Sequence, residues 1–151
     1  MASGFTNRGR YNLLAARYRG VAQPATFYAV LFTNTTTPTA DTNVKGDLTE
    51  INAGNGYTGN GMALTPGATD FDVFTEDDAN DRAYIQTKDL VWSAAGGPIP
   101  ASGTGAYYLG LTDNNATVAN RDVDAFFDLT GPVSVSDGQS LTIQNPELRI
   151  A

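Results

Sequence analysis

The stretch ATFYAVLFTN, Ala25 to Asn34, is uncharged, aromatic and β-branched, with apolar residues on both of its alternating faces. Successive strand side chains point to opposite sides of a sheet, so a run apolar on both faces predicts a central strand covered on each side. The overlapping TNTTTPTADTN, residues 33–43, offers little to bury and predicts an exposed loop. Beyond it come short strand-like runs at Gly61–Thr65, Asp70–Phe74, Ala83–Thr87, Asp89–Ala94, Ala106–Thr112, Ala125–Thr130, Val133–Ser136, Ser140–Gln144 and Glu147–Ile150. Turn residues separate them, and Asp137-Gly138 has the chemistry of a two-residue hairpin. Many short strands with turn signals and no fixed repeat predict an all-β fold, an antiparallel β-sandwich or jelly-roll-like body, rather than a parallel α/β sheet. The glycine-rich GNGYTGNG, residues 54–61, precedes a strand, not a helix. It therefore predicts a bent strand or exposed turn, not a phosphate cradle. SAAGGPIPASGTG, residues 93–105, predicts the most mobile or most interactive loop.

Upstream, the pattern changes period. In GFTNRGRYNLLAARYRG, residues 4–20, Tyr11, Leu14, Ala15 and Tyr18 recur at helical spacing, Thr6 or Asn7 can cap the start, and Gly20 can end it. Isolated helices shorter than about 12–15 residues are marginal in water, so this one is expected to order only against another surface. The chain thus divides into a basic amphipathic arm, 1–22, and a β-sandwich domain, 23–151. Charge divides in the same way: residues 1–40 carry four arginines and no acid, and the rest holds all 16 acids against five bases, for a net charge of −7. An acidic body repels nucleic acid and anionic membrane, so neither is expected as a partner.

The chain contains no cysteine and no histidine. Disulfides, thiolate nucleophiles, imidazole bases and the usual zinc ligands are excluded together. A serine with an aspartate but no histidine makes no credible triad, and the three glutamates form no evident glycosidase pair. Asp77, Asp78 and Asp81 in TEDDANDR lack the spacing and turn glycine of a calcium loop, so a solvated loop is the stronger reading. No enzyme activity, metal or cofactor is expected. Trp92, Tyr57, Tyr107 and Tyr108 could stack on sugars, but on period-2 strands aromatics more often form core or a subunit interface, the role expected of Trp92, Tyr107 and Tyr108. The arginines among the tyrosines of the helix suit a protein partner with acidic or carbonyl-rich grooves, since the guanidinium fork engages carboxylates bidentately. The anchoring set is Arg8, Arg10, Tyr11, Leu14, Arg17, Tyr18 and Arg19.

In this order, GFTNRGRYNLLAARYRG, PATFYAVLFTN, GNGYTG, DLVWSA, YYLGLTD and FFDLTGPVSVSDGQSLTIQNPELRI resemble the small structural proteins of tailed bacteriophages, the head decoration (cement) or tail-fibre-like proteins. The resemblance implies a β-sandwich made in the host cytoplasm that binds the major capsid protein on the virion surface, commonly as a homotrimer, and stabilises the head. A tail or fibre component that binds host carbohydrate is the alternative.

Overall fold

A computed structural model describes residues 4–150. Residues 1–3 of the expected arm, and Ala151, lie outside them. Among the described residues the elements run β1 (Gly4–Phe5), α1 (Asn7–Arg19), β2 (Phe27–Phe32), β3 (Met62–Leu64), β4 (Val73–Asp77), β5 (Arg82–Gln86), β6 (Leu90–Ser93), β7 (Ala106–Thr112), β8 (Val123–Val133), β9 (Ser140–Ile143) and β10 (Glu147–Ile150). Every strand pairing between them is antiparallel. The fold is all-β with one short N-terminal helix.

A five-stranded sheet, β1-β8-β7-β2-β3, faces two smaller ones, β10-β5-β4 and β6-β9. Ala29, Leu31, Leu64, Leu109, Leu111 and Ala125 of the large sheet meet Leu90, Trp92, Leu141 and Leu148 of the small ones in a single core. The run that reads as a two-sided strand behaves as one. β2 has neighbours at both edges, sends Ala29 and Leu31 into that core, and sends Val30 and Phe32 to the opposite face, where Leu48, Tyr108 and Val123 cover them. Gly110 on β7 makes room for this second layer: a Cβ there would sit 2.6 Å from the Phe32 ring.

Several expectations change. The N-terminal segment is not an arm beside a domain, because β1 pairs with β8 (Gly4 opposite Phe126, Phe5 opposite Ala125) and forms an edge of the main sheet. The run expected as a strand at Ala125–Thr130 lies within one long β8 that ends at Val133, and of the run Val133–Ser136 only Val133 joins it, Val135 making an isolated bridge to Ile99; the partners of β8 on β7 jump from Asp128 to Val133, so that residues 129–132 bulge out. Asp137-Gly138 makes no hairpin between paired neighbours, since β9 pairs with β6 and not with β8. GNGYTGNG turns inward rather than outward, burying Tyr57. The loop 93–105, expected to be the most mobile or most interactive one, is pinned at its centre: Ile99 is fully buried and exchanges backbone hydrogen bonds with Val135.

Candidate docking face on helix α1

Helix α1 starts where its sequence signals place it. The Thr6 hydroxyl accepts from Gly9 N–H at 2.9 Å, which is an N-cap, and donates to the Val123 carbonyl at 2.5 Å. Thr6 is fully buried, so one side chain both opens the helix and fastens it to β8. Gly20, at φ 66°, closes it. Arg17 and Arg19 fall in the last turn, where positive charge suits the helix dipole.

The helix rests on the body through small and polar residues. Gly9 lies so close to β8 that a Cβ would come within 2.0 Å of the Asp124 carbonyl oxygen. Asn12 Nδ2 donates to Asp122 Oδ2 at 3.1 Å and to Asp124 Oδ1 at 2.9 Å, and Arg8 Nε stands 3.0 Å from Asp122 Oδ1. Asn7 closes the near end, its backbone N–H donating to the Ala40 carbonyl and its side chain to Asp41. Burial is the largest influence on Asp124 and pushes its carboxyl up to about 6, with Asp113 and Asp122 adding to the effect while Asn12 and Arg8 oppose it. These acids, which the sequence reading did not single out, are what hold the helix. The signal for them is a stripe of small residues, Gly9, Asn12 and Ala16, at i, i+3 and i+7.

The apolar stripe points the other way. Tyr11 is 63 % exposed, Leu14 59 % and Tyr18 75 %, with Val21 exposed just beyond the helix. Of the expected anchoring set, Arg8 is committed to Asp122 and stacks near Tyr11, while Arg10, Arg17 and Arg19 remain at the surface. The structure thus keeps Tyr11, Leu14 and Tyr18 together on one outer face with Arg10 and Arg17 along its border, and removes Arg8 from it. The surface against which the helix orders is β8 of its own chain, to which its opposite face is tied, and not a partner's.

The aromatics expected at a subunit interface or against sugars are mostly interior. Trp92 is 4 % exposed and packs against Tyr57, ring centres 6.0 Å apart. Tyr57 is 1 % exposed; its hydroxyl donates to Glu50 Oε1 at 2.7 Å and accepts from Leu31 N–H at 3.1 Å. Burial, and after it the Glu50 carboxylate, drives the Tyr57 hydroxyl far above the usual phenol range. Tyr108 is buried on the other face of the sheet, and Tyr107 is half-buried beside it. The reason is the period of their strands: β6 alternates Leu90 and Trp92 inward with Val91 and Ser93 outward, so the tryptophan fills the core. Neither subunit contact nor sugar stacking is open to Trp92, Tyr57 or Tyr108.

The remaining candidates have structural partners. Glu50 Oε1 also accepts from Asn60 N–H, and Oε2 meets Lys45 Nζ at 2.7 Å, which ties the 44–60 segment together. Both oxygens of Asp77 accept from Asn80, and Oδ2 pairs with Arg82 at 2.8 Å. Asn80 first, and then Arg82, hold the Asp77 carboxyl below its ordinary value. Among the described residues no three histidine, cysteine, aspartate or glutamate side chains are grouped as a metal centre requires, and no helix is long and apolar enough to cross a membrane. Comparison with protein-family profiles, with curated proteins and with solved structures finds no match.

Proposed function

We propose that the protein is a non-enzymatic structural component of a phage virion, a decoration or cement protein that docks on the shell of major capsid protein through the outer face of α1. The observation that carries this reading is the exposed row Tyr11, Leu14 and Tyr18, bordered by Arg10 and Arg17, on a helix whose other face is fastened to β8. Exposed apolar rows of this size on a rigid element are characteristic of protein-binding surfaces. Arginine at the border adds charge-assisted hydrogen bonds to carboxylates or carbonyls. The order of sequence elements that resembles phage head and tail proteins supplies the setting. Stabilisation of the head follows by mass action, because a ligand that binds only the assembled shell stabilises it.

Deleting the N-terminal segment is a poor test, since β1 and Thr6 belong to the main sheet. The variant Tyr11→Ser/Leu14→Ser/Tyr18→Ser leaves the buried face intact. It is expected to melt within a few degrees of the parent and to lose attachment to purified capsids by at least about tenfold, the loss of roughly 1.4 kcal/mol of contact. Attachment equal to the parent's would defeat the docking role. Counting copies per virion separates a head protein, present in hundreds, from a tail protein, present in a handful.

A further inference from the structure

Between α1 and the β10-β5-β4 sheet runs an apolar groove of about 430 Å³. Phe27 and Phe71 form its floor, and across one wall Leu148, Ile85 and Phe74 stand in register on β10, β5 and β4. Its two rims are the exposed large side chains Leu13, 39 % exposed, and Phe74, 80 % exposed. A phenylalanine this bare at the mouth of an apolar groove, on an edge strand, is unlike the singly scattered apolar residues of ordinary surfaces.

Charge makes the two rims opposites. On the helix, the exposed Arg17 follows Leu13 at i+4, so the rim is basic there, while Arg10 bonds Asn7 and turns to a neighbouring hollow beside Phe5 and Glu147. On the strand side, Asp72, Phe74 and Glu76 alternate with half-buried neighbours and share one exposed face, so an apolar residue stands between two anions.

The geometry points to a second copy of this chain as the occupant of the groove, the two copies related by a two-fold axis running along it. That axis lays each helix rim over the other copy's strand rim. Phe74 of one copy then packs on Leu13 of its partner beside Arg17, where an aromatic face also attracts guanidinium. A two-fold axis across the groove would stack cation on cation and anion on anion, so charge selects the orientation as well as the partner. A two-fold contact of this kind pairs copies, whereas the threefold arrangement implied by the phage resemblance needs a heterologous contact. The pairing shares Arg17 with the border of the outer stripe of α1, but Phe74 lies off the helix, so a variant there separates the pairing from capsid docking.

Sedimentation of the full chain across a concentration series tests it, with thermal melting as the folding control. The parent is expected to form dimers, and Phe74→Ser, at an exposed position, to melt like the parent while dissociating at least about tenfold more easily. Arg17→Glu and the double variant Asp72→Arg/Glu76→Arg each place like charges at both contacts of a pair, and each is expected to weaken self-association by about tenfold or more. Mixed in equal amounts, these two variants meet opposite charges at both contacts, and pairing returns to within about threefold of the parent. A parent that stays monomeric, one that forms trimers, or a mixture that fails to recover would each overturn the two-fold pairing. Any of those results leaves capsid attachment of the Tyr11/Leu14/Tyr18 variant as an independent measurement.

Discussion

The two faces of α1 reverse the usual division of labour in a surface helix. The face against the body is made of Gly9, Asn12, Ala15 and Ala16 and is held by backbone proximity and hydrogen bonds, while the face toward solvent carries Tyr11, Leu14 and Tyr18. An amphipathic helix conventionally buries its large apolar stripe. Here the inner contact is a close approach of backbones, which only small residues permit, so the large residues are left for something else. A helical stripe read from sequence therefore locates a sticky face without saying which surface it meets.

The contrast is sharpest at Gly9. Gly9→Val puts a branched side chain where a Cβ already falls 2.0 Å from the Asp124 carbonyl oxygen. The helix must lift off β8, and the expected loss is about 3 kcal/mol or more, read as a lower urea midpoint in chemical denaturation. A value below about 0.5 kcal/mol, the scale of an ordinary surface substitution, would show that the inner face is not a tight contact.

Asp124 gives the next largest effect, with the opposite sign. Its folded value of about 6 lies above the ordinary 3.8, so the folded state holds the proton more tightly than the unfolded chain does. The penalty is absent below the unfolded value, grows as pH rises from about 4 through about 6, and is complete at neutral pH. Asp124→Asn keeps an acceptor for Asn12 and removes the charge. It is expected to raise stability at pH 7 by about 2–3 kcal/mol, a gain that fades as the pH is brought down to 4. Comparing variant with parent at each pH isolates this group from Asp70 and Asp77, whose lowered values act in the other direction. A gain that does not depend on pH would mean that Asp124 is not held as a buried charge.

Thr6→Ala removes the cap and the bond to Val123 together, and is expected to cost about 1–2 kcal/mol. Amide exchange in the first turn of α1 should rise with it. At the small end stands Tyr18→Ser on the outer face, expected to change stability by no more than about 0.5 kcal/mol. A loss beyond about 1 kcal/mol on thermal or urea unfolding would mean that the outer stripe already packs within the subunit.

Residues with local instructions were legible before the structure. β2 announced itself by burying both faces, and α1 by Thr6, the helical spacing and Gly20. Failures cluster where partners lie far along the chain. Asp137-Gly138 has hairpin chemistry, but the strand after it finds a better edge on β6, about fifty residues earlier, where Leu141 stands opposite Trp92. The loop 93–105 is rich in glycine and proline, yet Ile99 finds Val135 and a place in the core. Tyr57 sits among four glycines and was open to either reading, until Glu50 and the Leu31 amide satisfied its hydroxyl and Trp92 its ring.

The sequence by itself determined the strand class, the start and end of α1, the separation of a basic helix from an acidic body, and the absence of thiol and imidazole chemistry. Periodicity, capping and residue type act within a few positions, which is why one sequence suffices for them. Only the tertiary structure decided which face of α1 meets β8, that Trp92 and Tyr108 lie inside, and that Leu13 and Phe74 border one groove. Those facts depend on contacts between segments far apart along the chain, and what forms them is the competition of whole surfaces for burial rather than any local preference.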